Sequence, residues 1–214
     1  KCLWTKKTEQ GDKCNSLASW DMVCQPKVYG GLGVLNLKIQ GEALLLKYLH
    51  KFYNHFDLPW VELIWTTYYK NKIPHAMDTC GSFWWRDVAK LMPTFRGIMQ
   101  AQILHGGTVL FWKDLWGPQI LSEAHPRAYS YAKNEDISVR DFLSVTSLAE
   151  AFHLPLSPQA HAEVRQLQLD TTTINIPDSS QVHDRWTYVW GASTFTTHEY
   201  YSFYFRNTVV HQSF

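Results

Sequence analysis

The sequence lacks the short motifs by which most self-contained catalytic and nucleotide-binding sites are recognised. It contains no GxSxG nucleophile elbow, no GxxxxGK[ST] phosphate loop and no GxGxxG dinucleotide motif. It also has no Asp-Asp pair, although two-metal polymerases need convergent carboxylates that typically include one. We therefore expect a non-enzyme with no catalytic residues, no metal site and no cofactor of its own.

Cysteine is scarce, and long apolar runs are missing. Cys2, Cys14, Cys24 and Cys80 show neither CxxC spacing nor a zinc-finger histidine pair, so we expect reduced thiols. No apolar run approaches the roughly twenty residues that cross a bilayer, and no signal peptide opens the chain. These absences predict an intracellular protein without a membrane partner, and they leave open whether it is nuclear or cytoplasmic.

Aromatic residues and an uneven charge distribution are what the sequence does have. Ten tryptophans and 45% hydrophobic residues predict a folded chain with a substantial core. Residues 1–96 hold 13 Lys and Arg against 8 Asp and Glu, whereas residues 97–214 hold 7 against 11. The positive half favours contact with a phosphate backbone, although its charge is far less dense than in a dedicated nucleic-acid-binding domain.

Hydrophobic periodicity predicts an α+β fold that is predominantly α-helical, with a helical N-terminal half after a turn-rich start over residues 1–36 that consists of short strand or turn segments. The predicted helices run over 37–56 with Asn36 as N-cap, onward from an Asp57 N-cap, and from a Ser82 N-cap until Pro93 interrupts, with further helical turns to about Leu104. The β-branched and aromatic run Thr108–Trp112 predicts a short strand or hairpin near 108–116.

The C-terminal part is predicted to be mixed, with an incomplete last domain. Short helices are expected at 139–143 and 158–169, a linker at 171–182, a strand at 184–190, and a helix that begins at Thr197 and is unfinished where the sequence stops. Because the sequence starts at a lysine and stops after an aromatic run, both ends are interpreted as cuts from a longer protein.

The glycine cluster and the histidines each leave two interpretations open. Gly30, Gly31 and Gly33 precede a helix and could present backbone N–H groups to an anion, although a plain turn is the more common use of such a cluster. His50 and His55 lie five residues apart, which is the wrong spacing for a shared zinc ion, so solvated or capping roles are favoured. Because the side chains of adjacent residues diverge, His183 and Asp184 are not expected to act together.

Three blocks of sequence are similar to one family. They read WD-x-x-C-x-PK-x-x-GGLG-x-x-NL from Trp20, WW-x-D from Trp84, and FW-x-D-x-W from Phe111. In order and spacing they resemble plant LINE-type (non-LTR) retrotransposon reverse transcriptases downstream of the polymerase core, and the sequence from Asp184 resembles the start of the reverse transcriptase zinc-binding domain. The motif residues that carry the resemblance, with structural roles expected, are Trp20, Asp21, Cys24, Pro26, Gly30, Gly31, Gly33, Trp84, Trp85, Asp87, Phe111, Trp112, Asp114 and Trp116.

The resemblance implies three regions. Residues 1–120 would be a helical, thumb-like connector, 121–183 a variable linker with short helices, and 184–214 a truncated start of the zinc-binding domain. The parent polyprotein would use Mg and Zn outside this segment, because its catalytic aspartates lie upstream and its zinc ligands downstream. Departures such as Gly41, where the family usually has Asn, are compatible with a degenerate, inactivated copy.

Two alternative functions are therefore expected. One is a non-catalytic connector that helps its parent hold RNA or DNA, with Lys27, Lys38, Lys47 and Lys51 as the contacting residues. The other is a purely structural or interaction fragment, whose aromatic residues bury against neighbouring domains of the polyprotein. Large exposed apolar patches would favour the second function.

Overall fold

The protein was analysed as a computed structural model, which describes residues 19–70, 73–74, 81–171 and 183–211. Within these ranges the fold is mainly helical, and the only sheet has two antiparallel strands. The predicted α+β class with helical predominance is thereby confirmed. None of the helices in the same ranges combines the length and apolar character needed to span a membrane.

The elements follow one another in chain order, and a 3-10 helix at Lys27–Tyr29 lies between the first two α-helices. The strands are β1 Met99–Gln102 and β2 Arg185–Tyr188. The α-helices are α1 Trp20–Cys24, α2 Leu37–Tyr53, α3 Pro59–Tyr68, α4 Phe83–Ala89, α5 Met92–Gly97, α6 Leu121–Ala124, α7 Pro126–Ser130, α8 Val139–Leu143, α9 Leu148–Ala151, α10 Pro158–Thr171 and α11 Thr197–His211.

The chain divides into two compact units. Unit 1 comprises Lys1–Leu44 and Thr196–Phe214, and unit 2 comprises Leu45–Phe195. The division predicted at residues 120 and 183 concerns the domains of a longer protein, and it stays a prediction.

Helix caps define the described N-terminal part of unit 1. The Ser19 hydroxyl accepts a hydrogen bond from Met22 N at the start of α1, and the Asn36 carboxamide accepts one from Lys38 N at the start of α2. The predicted Asn36 cap is confirmed. The backbone N–H of Asn36 also donates to the Tyr201 hydroxyl at 2.9 Å, which ties the start of α2 to α11.

The glycine cluster is a closed turn. The four N–H groups of Gly30, Gly31, Leu32 and Gly33 donate to the carbonyl oxygens of Lys27, Pro26, Val23 and Gln25, respectively. Because these donors are used within the turn, the interpretation as an anion cradle is wrong and the plain-turn interpretation is confirmed. A Cβ at Gly31 would lie 2.1 Å from the Gln25 carbonyl oxygen, so the turn requires glycine at that position.

The helices of unit 2 bury the faces that periodicity predicted. Leu46, Leu49 and Phe52 of α2 are fully buried. The N-cap predicted at Asp57 is wrong, because α3 starts at Pro59 and an extended Leu58 takes the cap position, as the residue before proline prefers. The Ser82 cap of α4 is confirmed, with the hydroxyl accepting from Trp85 N.

The strand predicted near 108–116 is wrong, and the further helical turns are present as α5 but end at Gly97 instead of about Leu104. After α5 the chain forms β1, which pairs with β2 in the register Met99 to Tyr188 and Gln102 to Arg185. Residues 108–116 are irregular apart from one bridge between Leu110 and Ser138. Their apolar side chains are buried, but two carboxylates described below take the N–H groups of Thr108 and Leu110.

Most of the secondary structure predicted for the C-terminal part is confirmed. The helix at Val139–Leu143, the strand within 184–190 and the helix from Thr197 are confirmed, and the helix predicted at 158–169 extends to Thr171. Most of the predicted linker, residues 172–182, lies outside the described residues, as do residues 1–18 of the turn-rich start. The described part of that start contains α1 and the 3-10 helix instead of strands.

Candidate functional site

The four lysines selected from the sequence fall into two pairs. Lys27 and Lys38 are exposed in unit 1, whereas Lys47 is exposed and Lys51 half-buried in unit 2. Lys47 and Lys51 lie one turn apart on the same face of α2. In the part of the chain that the structure describes, none of the four lysines makes an ion pair. The second pair therefore presents two uncompensated positive charges side by side.

A cluster of partly exposed aromatic rings is centred on Tyr48, which lies one residue after Lys47 and three before Lys51 on α2. Tyr48, which is 38% exposed, meets the Trp84 ring edge-on at a centroid distance of 5.0 Å and the Trp60 ring at 5.9 Å. Trp60 and Trp84 are half-buried and lie 6.0 Å apart. We call Lys47, Tyr48, Lys51, Trp60 and Trp84 the aromatic–basic face. Helices α2, α3 and α4 each contribute to it.

The motif residues of unit 1 are distributed between surface and core. Cys24 is buried with a free thiol. Pro26 and Gly31 are half-buried in the turn. The exposed members are Trp20, Asp21, Gly30 and Gly33.

The WW-x-D motif of α4 divides its residues between two environments. Trp85 is 1% exposed, and its ring lies 4.9 Å from the Phe52 ring. Trp84 belongs to the aromatic–basic face. Asp87 is exposed and pairs with Lys90 at 2.6 Å, an arrangement that contributes little to stability. The motif thus combines one core residue with a surface position.

The FW-x-D-x-W motif surrounds a buried ion pair. Phe111 and Trp112 are fully buried, and the Trp116 indole N–H donates to the Phe111 carbonyl at 2.9 Å. The Asp114 carboxylate, 1% exposed, accepts hydrogen bonds from the Arg96 guanidinium and from Leu110 N. The aspartate of this motif therefore neutralises a charge inside unit 2.

Arg96 is held by several groups in addition to Asp114. Its guanidinium donates to the Tyr53 hydroxyl at 3.2 Å and to the Thr108 carbonyl at 3.1 Å, and it lies 5.2 Å from the Trp186 ring centroid. Burial lowers the pKa of Arg96, but the charges and hydrogen bonds of Asp114 and Tyr53 together outweigh burial and raise it above its ordinary value. Arg96 is therefore permanently charged, and the arrangement is structural.

A second buried carboxylate, that of Asp184, organises the loop before this motif. It accepts hydrogen bonds from the backbone N–H groups of Leu104, His105 and Gly106 at 2.8–2.9 Å, and from both the N–H and the hydroxyl of Thr108. Burial raises the pKa of Asp184, but these hydrogen bonds outweigh burial and hold it below the ordinary value. Asp184 is thus an anionic anchor for residues 104–108.

A pocket of about 600 Å³ opens beside that loop in unit 2. His55 stacks between Trp65 at 4.3 Å and His183 at 3.8 Å, and Phe52 stacks on Trp65 at 4.5 Å. The other polar residues that line the pocket are Thr66, Tyr69, Lys70, His105, Thr108, Ser138, Arg140 and Asp141.

The solvated role favoured for His50 is wrong. This residue, which does not line the pocket, is buried, and its Nδ1 meets the Tyr188 hydroxyl at 2.9 Å.

Sequence reasoning did not find this pocket or the role of Asp184. His183 and Asp184 do point in different directions, as adjacent residues should, but each reaches a distant partner in the chain. The signal in the sequence was a carboxylate at the start of a strand beside a histidine, which is too common to be informative alone.

No three His, Cys, Asp or Glu side chains within the described ranges come together as a metal-binding group. The similarity to LINE-type reverse transcriptases stays a prediction. No family model matches this chain, and neither a curated protein nor a solved structure does.

Proposed function

We propose that this chain is a non-catalytic connector from a retroelement reverse transcriptase polyprotein, and that it holds single-stranded nucleic acid on the aromatic–basic face. The observation that carries the proposal is the position of Lys47 and Lys51 next to Tyr48 on α2, together with the contacts of the Tyr48 ring with the half-buried Trp60 and Trp84 rings. The parent, an intracellular RNA-directed DNA polymerase, would supply Mg and Zn sites elsewhere.

The chemistry of the face suits single strands better than duplexes. Lysines bind phosphates without sequence preference, and aromatic rings stack on bases that are free of a base-paired partner. Tyr48 and Trp84 meet edge-on at 88°, which leaves their ring faces oriented in different directions for contact with bases. Lys27 and Lys38 lie in unit 1, and their contribution is a separate proposal.

The first experiment is a titration of labelled single-stranded RNA and duplex DNA with the purified chain across a series of salt concentrations. We expect Lys47→Gln/Lys51→Gln to flatten the dependence of log K on log salt by about 1.4 for a single strand, because two phosphate contacts are lost. Trp84→Leu should weaken single-strand binding by about fivefold or more and affect the duplex less.

The matched control removes two positive charges elsewhere in unit 2. Lys133→Gln/Arg165→Gln changes two exposed residues outside the face, so the salt dependence should stay that of the unchanged chain. If both double variants reduce binding equally, general charge accounts for the affinity and the proposed face is wrong. Circular dichroism on each variant ensures that folded proteins are compared.

A second candidate function, packing against neighbouring domains, is favoured by exposed apolar residues of unit 1. Val28 is 84% exposed and Leu37 74%, and Trp20, Met22, Leu32, Val34 and Leu35 are also exposed. Single exposed apolar residues are ordinary, but a run of this density is typical of an interaction surface.

The test for packing uses a longer polyprotein chain that contains the neighbouring domains. Val28→Ser/Leu37→Ser should lower its melting temperature while leaving that of the present chain unchanged. Equal effects in the two chains would argue against a covered surface.

A further inference from the structure

The pocket beside residues 104–108 contains a column of stacked rings with an exposed end. Phe52, Trp65, His55 and His183 follow one another at 4.5, 4.3 and 3.8 Å, with interplanar angles of 9–19°. The inner ring, Phe52, is fully buried, whereas His183 at the outer end is exposed. A column of this kind presents a planar surface on which one more flat ring can stack.

The conformation of His55 follows from its position just after α2. Its backbone φ is +48°, the left-handed conformation common at helix ends, and Phe56 N donates to the Lys51 carbonyl at 3.0 Å and His55 N to the Phe52 carbonyl at 3.2 Å. Its Nε2 is buried, with no hydrogen-bond partner among the described residues. Burial, together with the neighbouring His183, lowers the pKa of His55 to about 4, so the ring is neutral at physiological pH.

Positive charge and hydrogen-bond donors line the rest of the pocket. Arg140 directs one guanidinium N–H at His105 Nε2, and Lys70 is exposed two residues after the end of α3. The opposing charge in the lining is the exposed carboxylate of Asp141. Asp184 lies behind the loop, where five hydrogen bonds already engage its carboxylate.

The shape of the loop keeps this side of the pocket open. A Cβ on Gly107 would lie 2.7 Å from His105 Nδ1, so glycine is needed for the His105 ring to occupy its position. Gly106 has φ +74°, and its N–H donates to Asp184. The two glycines and the anionic anchor together position His105 next to Arg140.

The geometry points to a nucleotide-binding pocket, in which a planar base stacks on His183 while its phosphate contacts Arg140 and Lys70. The volume of about 600 Å³ lies within the usual range for small-molecule sites. This site uses none of the residues of the aromatic–basic face, so it stands apart from the proposed function.

The test is a calorimetric titration of the whole chain at low salt with three probes: adenosine 5′-monophosphate, inorganic phosphate and adenosine. We expect the nucleotide to bind at least about fivefold more tightly than inorganic phosphate, because stacking adds to the phosphate contacts. His183→Ala should remove that advantage and leave phosphate binding unchanged. Arg140→Gln should weaken both the nucleotide and phosphate, and Arg140→Lys should restore part of the loss.

Two results would overturn the pocket assignment. One is equal affinity for nucleotide and phosphate that His183→Ala does not alter. The other is loss of mononucleotide binding in Lys47→Gln/Lys51→Gln with no effect of His183→Ala and Arg140→Gln, which would assign the nucleotide to the other face. Because His183 is exposed, its replacement leaves the core intact, and circular dichroism checks the Arg140 variants.

Discussion

Residues 28–37 in unit 1 and residues 104–116 in unit 2 are both glycine-containing segments rich in apolar side chains. In the first, Val28 is 84% exposed and Leu37 74%. In the second, Val109 and Phe111 are 0% exposed. Since the two segments are similar in composition, the difference in the exposure of their apolar side chains must come from the groups elsewhere in the chain that contact each segment.

What reaches the second segment is a pair of buried carboxylates. Asp184 gathers the N–H groups of residues 104–108, and Asp114 joins Leu110 N to Arg96. The first segment is held by its turn hydrogen bonds, by the Asn36 cap and by the hydrogen bond from Asn36 N to the Tyr201 hydroxyl. A buried, hydrogen-bonded anion thus orders an irregular segment that neither a helix nor a strand would hold.

Among substitutions in these segments, one that breaks the buried ion pair should lower the free energy of unfolding the most. Asp114→Asn leaves the Arg96 charge buried without its partner, so the free energy of unfolding should fall by about 3–5 kcal/mol. Urea titration followed by tryptophan fluorescence measures the loss. Asp87→Asn, which removes an exposed pair with Lys90, is the matched control and should cost about 1 kcal/mol at most. Equal losses in the two variants would mean that burial of the pair is unimportant.

Replacement of the second anchor should have the next largest effect. Asp184→Asn removes the charge that five hydrogen bonds serve, and we expect a loss of about 1.5–3 kcal/mol, because such bonds to a charged group are the strong ones. Hydrogen exchange should accelerate for the amides of residues 104–108 first. If those amides keep their protection while the rest of unit 2 loses it, Asp184 does not anchor the loop.

Acid should weaken the same anchor in a defined direction. Because the folded-state pKa of Asp184 lies below the ordinary value, its contribution is complete above about pH 4 and is lost as the pH falls through the folded pKa. His55, with a pKa lowered to about 4, adds a separate decline between about pH 6.5 and 4. In melting curves against pH, Asp184→Asn should reduce the decline below pH 4, to which other carboxylates also contribute, and keep the one above it. Unchanged acid sensitivity below pH 4 would contradict the assignment.

In unit 1 we expect a smaller difference, between the effects on stability of alanine substitutions at two glycines. Gly31→Ala forces a methyl group against the Gln25 carbonyl and should destabilise the turn by roughly 1–3 kcal/mol. Gly41→Ala, in α2 with open space around it, should stabilise the helix by about 0.5–1 kcal/mol. Thermal melts of the two variants should therefore move in opposite directions. A parallel shift would mean that the turn tolerates a side chain.

The smallest effect on stability should come from a substitution at an exposed residue of the first segment. Val28→Ser removes a side chain that is 84% exposed, and the stability of the present chain should change by about 0.5 kcal/mol or less. A loss near that of a core substitution would mean that Val28 is covered in solution, for instance by a second copy of the chain. Sedimentation of both proteins distinguishes these cases.

Local signals in the sequence were sufficient for the caps and the long helix. Asn36 and Ser82 were predicted from residue type and position, and each makes the expected hydrogen bond. The apolar stripe of α2 likewise marked the buried face. These features depend on neighbours within four residues, which a sequence displays directly.

The failures depend on partners far along the chain. Thr108–Trp112 has the composition of a strand, but Asp184 takes the Thr108 N–H that a ladder would need. The spacing of Lys47 and Lys51 was visible, whereas the meeting of Tyr48 with Trp84 depends on how α2 and α4 pack. The stack of His55 on His183 has no local signal at all.

The anchoring of residues 104–108 by Asp184 also has a consequence for the order of folding. Leu104 is separated from Asp184 by 80 residues. Strand β1 likewise cannot pair until β2, a similar distance further along the chain, has been synthesised. At a synthesis rate of about 5–20 residues per second, the loop and its strand would remain without their partners for about 4–16 seconds on the ribosome. Until then the backbone of residues 108–112 has not reached its final arrangement. The apolar side chains of this segment are therefore a natural site for a chaperone to bind the nascent chain.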